Sequence, residues 1–178
     1  MAAVEVFVDE TKERGYLLCA AVVASRRLTE SKKAMRELKP NNRDRLHMHD
    51  ERPANRGRIV KEFMRVCPVD EAHIFIAPIA GRRERAVRDD CLAELARKSA
   101  ALGANRILVE SCSQDRQDFR VLTGSLSAIG ALDQVRVEVD VPTSNEMLWA
   151  ADLVVWAYAA GGRNRELVMP IVQVHNIG

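Results

Sequence analysis

Two apolar runs separated by only five residues constrain this chain more than any other feature. Val4–Glu10 (VEVFVDE) places Val4, Val6 and Val8 on one strand face and Phe7 on the other, then stops at Asp9 and Glu10. Tyr16–Ala24 (YLLCAAVVA) is apolar throughout and has the length and valine content of a second strand. The polar link Thr11–Gly15 suits a tight connection, so the two strands are expected to pair antiparallel.

The remainder reads as helices and further strands. Helices are expected over Leu28–Lys39, with Thr29 as N-cap and Pro40 beyond the end, and over Ala54–Val66. Ala72–Ile79 follows as a strand, with Pro78 at its end, and Ala86–Leu102 as a helix stopped by Gly103. The strand Arg106–Glu110, the helix Arg116–Ile129 and the strand Val135–Asp140 continue the alternation. Ser144–Ala160 is apolar nearly all round, as a helix buried on more than one side would be. Gly161-Gly162 is read as its stop, and Leu167–Val174 as a last strand or extended tail. Alternating strands and helices imply parallel strands with right-handed crossovers, hence an α/β fold with a mixed sheet. At 178 residues the chain suits one domain, residues 1–178.

Composition narrows the function classes. A net charge of +2 gives no overall basic character, although arginines cluster at Arg26-Arg27, Arg52–Arg58 and Arg82–Arg85. No run of roughly 20 apolar residues spans a membrane, and the N-terminus lacks a signal pattern, so a cytoplasmic setting is expected. Cys19, Cys67, Cys91 and Cys112 are scattered without a C-x-x-C pair, as reduced thiols would be.

Ligands of an α/β sheet collect at the carboxyl ends of its strands. Asp9 and Glu10 end the first strand, Glu110 the RILVE strand and Asp140 the VRVEVD strand. Asp152 lies within the apolar helix sequence WAADLVVWA, where a lone buried charge is too costly to stand unpaired. Each acid alone also reads as a polar strand end, a turn former or half of an ion pair. Their convergence in one fold is what points to a divalent cation, since carboxylate oxygens are hard ligands. Glu10 is the uncertain member, because period two turns it to the face opposite Asp9.

His47 and His49, beside Asp50 and Glu51, offer either imidazole ligands or a proton shuttle, or else a solvated loop. His73 and His175 read as structural. No P-C-x-x-C, G-x-S-x-G, P-loop or G-x-G-x-x-G element is present. Trp149 and Trp156, seven residues apart, read as core or dimer contacts ahead of base stacking.

The opening VFVDET, the run YLLCAAVVA and the late VEVDVPTSNEMLWAADLVVWA together resemble the DUF3800 family. That family has a ribonuclease H-like fold and typically opens with Asp-Glu-Ser-Gly; here Thr11-Lys12 stand in place of Ser-Gly. The resemblance places Asp9 and Glu10 on the opening acids, Asp152 on the helix aspartate and Asp140 on the acid before that helix. It also places Leu46-His47 on a Leu-His element. It implies helices on both faces of the sheet and metal-dependent phosphodiester hydrolysis with Mg²⁺ or Mn²⁺. Asp9, Glu110, Asp140 and Asp152 would be the metal ligands. The catalytic set would be Asp9, Glu10, Glu110, Asp152 and His47, with Glu110 assigned from topology alone. Nucleic acid is the expected partner and a homo-oligomer is possible; the competing expectation is a non-catalytic nucleic-acid- or protein-binding module on the same fold.

Overall fold

The computed structural model describes residues 2–178. Strands β1 (Val4–Thr11) and β2 (Tyr16–Ala24) pair antiparallel, with Val4 opposite Ala24 and Thr11 opposite Leu17. On β2 follows β3 (Glu71–Ala77), again antiparallel, and then β6 (Val172–Asn176), parallel to β3. On the other side of β1 lie β4 (Ala104–Glu110) and β5 (Arg136–Asp140), both parallel. The sheet order is thus β5-β4-β1-β2-β3-β6, and β2 alone runs against the rest. All nine residues of β2 are buried, which explains its lack of polar alternation: both its faces are covered.

Helices α1 (Leu28–Leu38), α2 (Pro53–Val66), α5 (Glu146–Ala160) and α6 (Gly162–Val168) cover one face. They pack against Phe7, Cys19, Ala21 and Leu108. Helices α3 (Glu84–Ala101) and α4 (Asp115–Ala128) cover the other face, against Val6, Val8, Leu18 and Val109. This three-layer α/β arrangement is of the ribonuclease H-like class. Burying each large apolar side chain stabilises it by roughly 1.5–3 kcal/mol. Helix α5 contributes most broadly: ten of its residues are buried, and it touches β1, β2, α1 and α6. Its first turn is fixed by Asn145, whose side chain accepts from the Met147 N–H at 3.0 Å.

Two local expectations are corrected. Thr29 is not a cap, because a 3₁₀ turn over Ser25–Arg27 runs directly into α1 and leaves Thr29 inside the first turn. Gly161 does end α5 at Ala160, as expected, but a further short helix, α6, starts directly at Gly162. Gly161, at φ 71°, bends the chain between α5 and α6, and Arg165 Nε donates at 2.7 Å to the Tyr158 carbonyl, which also accepts the Gly161 N–H at 3.3 Å. The segment Leu167–Val174 consequently begins as helix and 3₁₀ turn, and the last strand starts only at Val172. Among the described residues no helix is long and apolar enough to cross a membrane.

Candidate metal centre

With β1, β3, β4, β5 and β6 pointing the same way, their carboxyl ends share one edge of the sheet. Asp9 follows Phe7 by two residues and so faces the α5 layer. Val8 pairs with Val109, which sets Asp9 and Glu110 side by side one step further on. Asp152 reaches the same place from α5. A cleft of about 200 Å³ is lined by Asp9, Glu110, Asp152 and His47, with Glu10, Arg88 and Cys112 also on its wall.

Asp9 is only 9% exposed. Its Oδ1 accepts the Glu10 N–H at 2.7 Å, and no Lys, Arg or His nitrogen of the described residues lies within 4.0 Å of it. Burial first, then the charges of Asp152 and Glu110, hold its carboxyl well above the ordinary range. Asp152 is pushed up to about 6, mainly by burial; the Met48 N–H, His47 and Arg45 work against that rise. Its Oδ2 accepts from the Met48 N–H at 2.9 Å, and its Oδ1 lies 3.6 Å from His47 Nε2. Arg45 Nη1 is 4.0 Å from Glu110 Oε1.

The histidines part ways. His47 is held between Asp152 and Asp50, whose Oδ2 is 3.0 Å from Nδ1, and it faces the acids. His49 turns outward to Glu13 at 3.2 Å. The two rings, 6.1 Å apart, are directed to different partners and do not act as a pair. His73 is buried and lies 2.8 Å from both His175 and Glu71, away from the cleft.

Glu10 points to the opposite face, as the alternation requires. There it accepts from Tyr16 Oη and Arg88 Nη1, with Lys12 Nζ 3.6 Å away. Arg88 also clasps the fully buried Asp118 through Nε at 2.9 Å and Nη2 at 2.7 Å, and Arg85 adds a third bond at 2.9 Å. Burial alone would raise the Asp118 carboxyl, but these guanidinium bonds hold it below its usual value. Sequence reasoning missed this network. Its signal was Arg88 itself, a charge on the stripe formed by Val87, Cys91, Leu92 and Leu95.

Asp140 stays outside the cleft lining. It is the neighbour of Glu110 across the β4–β5 ladder, but its carboxylate turns back to accept the Val141 N–H at 2.8 Å. One further group, Cys112, Asp115 and Asp118, has ligand atoms all within 4.8 Å of one another, a spacing that one ion can bridge. Arg88 and Arg85 already supply the positive charge at Asp118. The oxygens of Asp9, Glu110 and Asp152 form a wider set than that. All four cysteines are free. No family model matches the chain, and no curated protein matches it.

Proposed function

We propose that this protein is a DUF3800-type, metal-dependent phosphodiesterase acting on nucleic acid, with Asp9, Glu110 and Asp152 as its ion ligands. The observation that carries this reading is Asp9: a nearly buried carboxylate whose close charged neighbours are two more carboxylates. Such a group is unfavourable in the protein alone and becomes favourable beside a cation. The donor set is all oxygen and anionic, which fits Mg²⁺ or Mn²⁺ and not a soft metal.

Asp9 and Glu110 would hold the ions from the sheet and Asp152 from α5. A divalent ion here supplies Lewis-acid activation of water and neutralises charge on the phosphate. His47, oriented through Nδ1 by Asp50, is placed to move a proton at Nε2 beside Asp152. Glu10 anchors the strand end through Arg88 and Tyr16. Arg45, 4.0 Å from Glu110, supports attraction of a phosphodiester backbone.

The test is cleavage of labelled single-stranded RNA, single-stranded DNA and hybrid duplex with Mg²⁺ or Mn²⁺. Wild type is expected to cut at least one of them and Asp9→Asn to lose the activity by a factor of a hundred or more. Mn²⁺ should also raise the thermal midpoint of the wild type and leave that of Asp9→Asn unmoved. Cleavage unchanged in Asp9→Asn overturns the reading; an ion-induced shift without any cleavage would point to the binding module instead.

A further inference from the structure

We infer that Trp156 is the floor of a subsite that takes one nucleobase of a single strand, directly beside the acid cleft; this deepens the phosphodiesterase reading and rests on it. A second cavity, of about 270 Å³, shares Glu10, His47 and Asp152 with the cleft and extends it toward Val155 and Trp156. Its size is near the lower end of small-ligand pockets, roughly 300–1,000 Å³, and suits one planar group. Asp152 and Trp156 are four residues apart on α5, so the indole lies one helical turn from the proposed ligand carboxylate. A phosphate held at the acids therefore has its adjoining base within reach of the ring.

The two tryptophans of the chain differ in a way that marks this one out. Trp149 is 3% exposed and donates its indole N–H to the Pro142 carbonyl at 2.6 Å. Trp156 is only half-buried, lines the cavity, and donates its N–H to no described residue. Arg56 backs the ring, with its guanidinium carbon 5.4 Å from the ring centroid. Arg56 is itself pinned by bonds to the Met48 carbonyl at 3.1 Å and the His49 carbonyl at 2.8 Å. The turn that carries His47 thus also sets the platform. Thr11, Lys12, Glu13 and His49 rim the cavity with both donors and acceptors. A flat apolar floor with a polar rim of mixed character matches a base, whose faces stack and whose edges hydrogen-bond.

The experiment uses the full chain with Ca²⁺ in place of Mg²⁺ or Mn²⁺, so that the acids carry a cation while cleavage is suppressed and binding is read alone. Unlabelled single-stranded hexanucleotides, one RNA and one DNA, are titrated while tryptophan fluorescence is followed, and affinity is measured by anisotropy of labelled copies. Quenching is expected in the wild type and should vanish in Trp156→Phe, where only Trp149 emits. Trp156→Phe should bind within about twofold of wild type, because a ring remains, and Trp156→Leu should bind roughly tenfold more weakly. Thermal melting checks the fold of each variant, and the fluorescence of Trp156→Phe decides the matter if Trp156→Leu fails to fold. Wild-type affinity in a folded Trp156→Leu, quenching that persists in Trp156→Phe, or absence of oligonucleotide binding each overturns the subsite. Quenching without any metal-dependent cleavage would remove the phosphodiesterase reading and leave the subsite standing.

Discussion

Asp152 ionises against its surroundings, and that has a measurable sign. Its carboxyl is pushed up to about 6 in the fold, against an ordinary value of 3.8. A raised acid contributes stability that is fully present below the unfolded value and is lost as pH climbs through the folded one. Wild-type stability, relative to Asp152→Asn, should therefore fall between about pH 4 and pH 6. At about 1.4 kcal/mol per unit the loss is at most about 3 kcal/mol. Asp9, raised by burial and then by the charges of Asp152 and Glu110, contributes to stability with the same sign. Urea denaturation of both proteins in metal-free buffer from pH 4 to 8 measures it; parallel curves would contradict the burial of Asp152. On the opposite face the balance is reversed. Arg88→Met strips the fully buried Asp118 of its bidentate partner and should cost about 3–5 kcal/mol. Arg88→Met combined with Asp118→Leu should recover much of that in the same unfolding assay.

At the scale of elements, legibility followed the strength of the local pattern. β1, β2, α3 and α5 were readable because each has a long apolar signature that packing reinforces. α6 was not, because paired glycines ordinarily terminate a helix, as they do α5, and nothing in the local pattern shows that the chain starts another directly after them. The acids Asp9, Glu110 and Asp152 were visible as strand-end and in-helix carboxylates. Which of them meet was not readable, since the β1–β4 register and the turn of Asp140 onto Val141 are set by pairing and loop geometry. Arg88 escaped for a related reason: a periodic stripe shows that a position faces inward, not what waits there. Within α4, Gly124 is an exposed helical glycine, and a Cβ added there meets nothing within 4 Å. Gly124→Ala should therefore stabilise by about 0.5–1 kcal/mol, seen as a higher thermal midpoint with the fold unchanged.

For the whole molecule, the sheet and the acid cluster stand or fall together. β1 lies at the centre, joined to β2 on one side and β4 on the other, and the α5 layer cannot open without exposing Asp9. Loss of Mn²⁺ binding and loss of far-ultraviolet circular dichroism should occur at one urea concentration. Two separated midpoints would mean that the α5 layer opens as an independent unit. The place of α5 in the chain has a further consequence, for a polypeptide being made from its amino end. The sheet acids Asp9 and Glu110 are synthesised well before the helix that covers them. Until α5 docks, Asp9 lacks the burial that raises its carboxyl in the fold. A nascent chain thus carries the two sheet acids well before it carries the low-dielectric pocket that α5 completes around them.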